Sequence, residues 1–148
     1  MGTIAAVRTA VIETPILTDI KTSYGSWTHQ PHVIVKLTSD DGLEGLGESS
    51  PLGFFTGETA EIVKAAIDHA LGKVLVGRDP FDLESILCAL DAALPHNNSA
   101  KAAVDMALHD LAGKSLAVPL YRLLGGKVRA AVPSAVIVLA VLAAVAGL

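Results

Sequence analysis

The sequence predicts an α+β fold in which a three-stranded antiparallel meander precedes three to four helices. Three observations carry this prediction. Segments rich in β-branched residues, separated by turn signals, occupy the first third of the chain. From residue 58 onward, apolar residues recur at helical spacing behind capping residues. Because the strands come first and the helices follow, a doubly wound parallel sheet is not expected.

The first strand is predicted over residues 4–13, which are extended in character and end at Thr14-Pro15. Residues 16–31 are polar and contain Gly25 and Trp27, a composition typical of a long loop. The meander therefore begins with a short strand, followed by a loop that is open to solvent.

The second and third strands are predicted as a hairpin. Residues 32–38 are β-branched and partly alternating, and residues 43–48 form the returning strand. Between them, residues 39–42 read Ser-Asp-Asp-Gly, which is a strong turn signal. Residues 49–57 are predicted to form a second loop.

Helical segments follow, each with a recognisable start or stop. The first spans residues 58–71, with Glu58 and Glu61 near the positive end of its dipole. The second helix is predicted to start at Asp79-Pro80. The third is capped by Asn98 or Ser99, runs through Ala112 and stops at Gly113, and a short fourth helix starts at Pro119 and ends at Gly125-Gly126. Two predicted apolar faces are Ile62, Val63, Ala66, Ile67, Ala70 and Leu71, and Leu83, Ile86, Leu87, Leu90 and Leu94.

Composition narrows the function classes. The chain has 148 residues, of which 51% are hydrophobic and 4% aromatic, enough for one domain with a core built from aliphatic residues. A net charge of −4 without a Lys/Arg cluster sets nucleic-acid binding aside. The single cysteine, Cys88, excludes an internal disulfide, and the N-terminus has no leader pattern, so we expect a cytoplasmic location.

Residues 130–148 form an apolar tail without a charged residue. Such a run raises the question of a membrane span. Pro133 near its start and the β-branched residues 136–138 favour a buried parallel strand instead, although the Ala-rich remainder also suits a helix. We do not expect membrane insertion, and a folded protein would need to cover this surface.

A metal pair is one interpretation of Asp105 and His109, which lie four residues apart on a predicted helix, next to Asp110. No second cluster completes a ligand set. We favour a polar pair that orients the helix against its neighbour.

Three glycines, Gly42, Gly45 and Gly47, loosely resemble a phosphate-binding loop. A dinucleotide site needs the order G-x-G-x-x-G between a strand and a helix, whereas here the order is G-x-x-G-x-G within a hairpin. Turn and bulge glycines are therefore the favoured interpretation.

Four acidic residues lie close together at Asp40, Asp41, Glu44 and Glu48. Paired carboxylates can transfer protons. Asp40 and Asp41 fall in the predicted turn, however, and strand alternation places Glu44 and Glu48 on one face only if no bulge intervenes. We expect a structural role for Glu48.

Two predicted loops, residues 17–27 and 50–56, are the better candidates for a ligand site. They carry aromatic residues in a chain that has few of them, and loops on a scaffold often bind ligands. The candidate substrate-binding residues are Lys21, Thr22, Tyr24, Trp27, Phe54, Phe55 and Thr56. The alternative is that Phe54 and Phe55 plug the underside of the helices.

Three segments carry a family resemblance: DGLEGLGESSP with GFFTGET at 41–59, AKAAVDMALHDLAGK at 100–114, and VPLYRLLGG at 118–126. In their order and spacing, they resemble the N-terminal capping domain of the enolase superfamily, in its mandelate racemase and muconate lactonizing enzyme branch. The likeness leans toward dipeptide epimerases or muconate cycloisomerases. His109 departs from the Trp or Tyr common in the branch, and the apolar tail departs from the polar helix expected there.

The resemblance implies an isomerase of two domains, with residues 1–129 as the cap and 130–148 as the first strand of a truncated (β/α) barrel. It implies a cofactor, Mg²⁺, and a base that removes the proton α to a substrate carboxylate, both held by the barrel. It also implies that the two loops close over the substrate. No catalytic or metal-binding residue is then expected in this chain, which alone would be inactive.

Other properties remain expectations of the same kind. We expect a small carboxylate as ligand and a homo-oligomer as the assembly. The alternative function is a non-catalytic module that folds, oligomerises through its apolar tail and binds a partner. A third possibility is a small protein tethered to a membrane through residues 130–148.

Overall fold

The computed structural model describes residues 2–22 and 25–132, with the side chains of 17–22 left out. These residues contain a three-stranded antiparallel sheet of order β1-β2-β3. The strands are β1 (Ile4–Thr22), β2 (Gly25–Ser39) and β3 (Glu44–Ser49). The predicted meander is confirmed, including the turn between β2 and β3, where Gly42 has φ +86° and its N–H donates to Ser39 O.

Helices follow the sheet, as the sequence predicts. One π-helical turn, Ile67–Leu71, lies between two α-helices. The α-helices are α1 (Gly53–Thr56), α2 (Ala60–Ala66), α3 (Gly72–Leu75), α4 (Leu83–Ala93), α5 (Asn98–Ser115) and α6 (Leu120–Leu123).

The first hairpin is much longer than predicted. β1 does not end at Thr14-Pro15 but continues to Thr22, and most of the predicted loop 16–31 is strand. β3 pairs with β2 only as far as Val33, so the hairpin has two strands beyond that point. There a proline needs no ladder partner on its outer side, which is why Pro15 and Pro31 are tolerated.

The core lies between one face of the sheet and the helices. Alternation along β2 buries Val33, Val35 and Leu37 while the residues between them stay partly exposed. The helical contribution is mostly as predicted, with Val63, Ala66, Ile67, Leu71, Ile86 and Leu90 buried. Ile62 is the exception: the prediction placed it on the buried face, but it is 43% exposed.

Helix α5 approaches the backbone of β3 closely at two glycines. A Cβ on Gly47 would lie 1.9 Å from Ala103 O, and one on Gly45 would lie 2.3 Å from Ala107 O. The β2–β3 register is regular throughout, so the prediction of bulge glycines at these positions is wrong. Their role is to let a helix and a strand meet without side chains between them.

The outer edge of β3 is paired by side chains of α5. Asp110 Oδ2 accepts from Leu46 N at 2.8 Å, and Lys114 Nζ donates to Glu44 O at 2.8 Å. Lys114 and Asp110 are also joined at 2.6 Å. These contacts satisfy strand groups that would otherwise be open to pairing with another chain.

Several predicted helix boundaries are wrong. Residues 53–56, predicted as loop, form α1. Asp79-Pro80 does not start α4, because Asp79 Oδ1 accepts from Phe81 N in a preceding turn and the helix begins at Leu83. Gly113 does not stop α5: it is buried within the helix, which continues to Ser115.

The close packing of α5 predicts a large stability cost for G47A. The new Cβ would overlap backbone atoms that cannot move independently, so we expect a loss of about 1–3 kcal/mol or more in the free energy of unfolding. Urea denaturation measures it. G53A is the matched control: its Cβ would meet the Thr59 methyl at 3.2 Å and Glu58 O at an ordinary contact distance of 3.8 Å, so it should change stability by less than about 0.5 kcal/mol. Equal stability of both variants would contradict the proposed packing role.

Because Asp110 binds the edge of β3, D110A is expected to lower the free energy of unfolding moderately. This change leaves the Leu46 N–H without its acceptor, which should lower the free energy of unfolding by about 1–2 kcal/mol. D91A removes the exposed ion pair between Asp91 and Lys101 and should cost about 0.5 kcal/mol or less. Denaturation of both variants tests this, and a D91A cost equal to that of D110A would argue against it.

A pH dependence is expected from Asp68, which faces Thr9 of β1. Burial raises the pKa of this carboxyl, but hydrogen bonds from Lys64 and Thr9 outweigh it, so the pKa lies below its usual value. Ionised Asp68 therefore stabilises the fold at neutral pH, and this stabilisation disappears as the pH falls below about 4. D68N should be less stable than the parent at pH 7, with the difference shrinking in acid. Thermal melts from pH 7 to 3 with a constant difference would refute it.

Candidate functional site

An aromatic contact joins the two segments that the sequence singles out. Trp27, on the two-stranded part of the first hairpin, meets Phe54 of α1 with ring centroids 4.9 Å apart and planes at 85°. This edge-to-face arrangement is favourable by about 0.5–1.5 kcal/mol beyond the area it buries. Two of the seven candidate residues are therefore brought together by the fold.

A second contact lies beside the aromatic one. The Gln30 amide donates to Pro51 O at 3.4 Å and to Pro31 O at 3.3 Å, so β2 also reaches the segment that leads into α1. Pro51 is buried. The hairpin and α1 thus meet at a side-chain pair and at a backbone carbonyl.

Helix α1 is a single turn held by its own backbone. Leu52 O accepts from Phe55 N at 2.8 Å and from Thr56 N at 2.9 Å, and the Thr56 hydroxyl donates to the same carbonyl at 3.3 Å. Gly57, with φ +77°, ends the turn and donates to Gly53 O. The candidate residue Thr56 therefore serves the turn itself.

The aromatic residues of α1 face solvent. Phe54 is 50% exposed and Phe55 is 72% exposed, and α1 contains no buried residue. The alternative that both side chains plug the underside of the helices is therefore wrong. Large exposed aromatic rings on a short, well-formed turn are available to contact a ligand or another domain.

The remaining candidates lie at the end of the hairpin. Lys21 pairs with Ser26 and Thr22 pairs with Gly25 in the β1–β2 ladder. The side chains of Lys21 and Thr22, and the whole of Tyr24, are outside the described residues. Their assignment as substrate-binding residues stays a prediction.

Glu58 makes a long-range contact that the sequence did not predict. Glu58 lies before α2 and not in its first turn, where Glu61 is the acidic residue, and the cap of α2 is Thr59, whose hydroxyl accepts from Ile62 N. Both carboxylate oxygens of Glu58 instead lie 3.2 Å from Ser99 N, at the start of α5. The two residues are 41 positions apart, so no local pattern reveals the contact.

The Asp105–His109 pair forms on α5. His109 Nδ1 lies 3.1 Å from Asp105 Oδ1 and 3.0 Å from Asp105 O. Within the part of the chain that the structure describes, no three His, Cys, Asp or Glu side chains are grouped to hold a metal ion. These residues do not fit a Mg²⁺ site, and it is the neighbouring Asp110 that orients α5 against the sheet.

The acidic residues of the hairpin are held in structural pairs. No bulge intervenes, so Glu44 and Glu48 share the outer face of β3. Glu48 Oε1 lies 2.6 Å from His32 Nδ1, and a hydrogen bond from Lys36 lowers the pKa of Glu44. The Ser39 hydroxyl likewise lowers the pKa of Asp41 in the turn. The expected structural role of Glu48 matches this arrangement.

No helix among the described residues has the length and apolar character needed to cross a bilayer. Residues 133–148, which hold most of the apolar tail, lie outside the described part. The prediction that they form a barrel strand therefore stays a prediction.

Known proteins share both the sequence and the fold of this chain. Residues 4–125 match the family model of the mandelate racemase / muconate lactonizing enzyme N-terminal domain. An L-Ala-D/L-Glu epimerase of Clostridium acetobutylicum is 40% identical over 115 residues, covering 78% of this chain and 32% of that protein. A chloromuconate cycloisomerase of Cupriavidus necator is 37% identical over 134 residues, covering 89% and 36%.

A solved structure of a dipeptide epimerase shows the same fold. The dipeptide epimerase from Enterococcus faecalis, complexed with Mg and the dipeptide L-Leu-L-Tyr, superimposes with a TM-score of 0.80 at 32% identity, covering 84% of this chain and 35% of that one. The chain spans about a third of the length of the curated relatives it matches. With the confirmed meander and helices, these matches establish that the chain belongs to the mandelate racemase and muconate lactonizing enzyme family of the enolase superfamily and carries its N-terminal domain.

Proposed function

We propose that this chain is the substrate-capping and specificity domain of a Mg²⁺-dependent racemase, epimerase or cycloisomerase that removes a proton α to a carboxylate. The observation that carries the proposal is the contact between Trp27 and Phe54, which joins the hairpin to α1. Helix α1 exposes the rings of Phe54 and Phe55, and the half-buried Trp27 of the hairpin packs against the first of them.

The capping role follows from the chemistry of the exposed residues. Phe54 and Phe55 offer apolar surface and no group that could exchange a proton. Apolar contacts bind ground and transition states alike, so they set affinity and substrate choice. Covering a substrate also excludes water from the reacting atoms. Proton abstraction and metal binding are assigned to the remaining part of the enzyme.

A second apolar surface, around α6, suits attachment to another domain. Leu116, Leu120, Tyr121 and Leu124 are each at least 40% exposed around α6. A cleft of about 660 Å³ lies next to them, lined in part by Leu120. Such a group of apolar residues favours burial against a barrel, for which residues 130–148 would form the first strand.

The substrate class is proposed from the relatives. Their names record epimerisation of L-Ala-D/L-Glu, cycloisomerisation of chloromuconate and binding of a dipeptide. The chemistry that these ligands share is a carboxylate, which we propose as the feature of this protein's substrate. We also propose a cytoplasmic location and a homo-oligomeric assembly for the protein.

A domain exchange tests the proposal. In the Clostridium acetobutylicum epimerase, the N-terminal domain is replaced by residues 4–125 of this chain, and turnover of a dipeptide panel is measured with Mg²⁺. We expect α-proton exchange to persist, a changed order of kcat/KM across the panel, and no turnover by the 148-residue chain alone. In the hybrid, F54A should lower kcat/KM, mostly through KM, by about tenfold for each 1.4 kcal/mol of lost contact.

V76A is the control for this experiment, since Val76 is also exposed but belongs to neither α1 nor the hairpin. It should leave the order of substrates unchanged. Two outcomes would overturn the proposal: an F54A hybrid that is folded but exchanges no proton at saturating substrate, or a folded hybrid with the substrate order of the parent.

A further inference from the structure

We propose that Glu58 is a positioning residue: by capping α5, it holds α1 where Phe54 meets Trp27, so that α1 and the hairpin act as one coupled unit. The consequence for substrate choice rests on the proposed function. The coupling itself rests only on contacts among described residues.

Helix α5 needs a cap from elsewhere in the chain. Its N-cap residue, Asn97, has φ 52°, and its side-chain amide donates to Pro95 O instead of capping the helix. His96 before it also has a positive φ, of 60°. The Glu58 carboxylate at Ser99 N supplies both an acceptor and a negative charge at the positive end of the helix dipole.

The link from Glu58 to α1 is short. Only Gly57 separates Glu58 from the last residue of α1, and Glu58 N donates to Thr56 Oγ1 at 3.3 Å. Gly57 N in turn donates to Gly53 O at 3.0 Å. A displacement of the Glu58 backbone is therefore passed to the turn that carries Phe54.

Helix α5, which Glu58 contacts at Ser99, is itself firmly held on the sheet. Helix α5 lies directly on Gly45 and Gly47 of β3, and Asp110 and Lys114 bind the edge of that strand. The sheet also contains β2, which carries Trp27. The contacts thus form a closed path from the sheet through α5, Glu58, α1 and Phe54 back to Trp27. Breaking either Glu58–Ser99 or Phe54–Trp27 opens this path, whereas the Gln30–Pro51 contact joins β2 to the segment before α1 without passing through Glu58.

Loss of the cap should therefore act on substrate choice through Phe54, although Glu58 itself carries no assigned substrate contact. In a protein without this path, α1 and the hairpin would adjust separately to a ligand. With it, a ligand that displaces one element changes the free energy of the other.

Fluorescence tests the coupling in the 148-residue chain, because Trp27 is its single tryptophan. The variants are E58A and F54L, with E61A and F55L as matched controls. Glu61 is an acidic residue held by the Thr59 hydroxyl in the first turn of α2, and Phe55 is the exposed neighbour of Phe54. Emission wavelength and acrylamide quenching of Trp27 are measured for each variant, and far-UV circular dichroism verifies the fold.

We expect E58A and F54L to shift the emission of Trp27 to longer wavelength and to increase its quenching, and the controls to match the parent. The double variant should resemble F54L alone, since both changes act on one contact. Amide exchange at Ser99 should quicken about fivefold in E58A, which corresponds to about 1 kcal/mol for a lost cap. Folded E58A with parental Trp27 fluorescence would overturn the proposal, as would an additive double variant or an equal effect of E61A.

The capping function and the coupling through Glu58 are tested by different experiments, so either can be overturned without the other. The fluorescence experiment contains no substrate, so its failure removes the coupling and leaves the capping function untouched. If the coupling stands but the domain exchange leaves substrate order unchanged, the capping function is overturned and Glu58 remains a positioning residue of α1.

Discussion

The structure depends on the approach of α5 to β3 without side chains between the two backbones. Gly45 and Gly47 place strand atoms where any Cβ would overlap Ala107 O or Ala103 O. The short separation puts the carboxylate of Asp110 within 2.8 Å of a strand N–H. A helix packed this closely cannot slide or rotate without losing both the packing and the edge hydrogen bonds. Helix α5 is therefore fixed on the sheet, and other elements are positioned by their contacts with it.

The position of α1 is linked to this helix. Glu58 binds the start of α5, and the turn before Glu58 carries Phe54 to Trp27. A short turn without a buried residue, such as α1, has little burial of its own to hold it in place. Its position is decided by long-range contacts at its two ends. The surface proposed to contact the substrate is therefore held in position by Glu58 and Ser99, which are not part of that surface.

Local signals accounted for much of the fold. The Ser-Asp-Asp-Gly turn and the alternation through Val33, Val35 and Leu37 were sufficient to predict the second hairpin, because turn geometry and side-chain direction are properties of a few adjacent residues. Local signals failed where strand pairing or burial outweighed them. Pro15 ended the predicted strand and Gly113 the predicted helix, yet both elements continue, one along an unpaired edge and one against the core.

The sequence alone determined the order of strands and helices, the family, and the two segments whose aromatic residues are the candidates for a ligand site. Tertiary structure decided the partners: Trp27 with Phe54, Glu58 with the start of α5, and the two glycines with a helix backbone. The physical reason is range. Periodicity, capping and turn propensity are encoded within a few residues, whereas each of these pairs joins groups tens of positions apart that meet only when α5 is seated on β3.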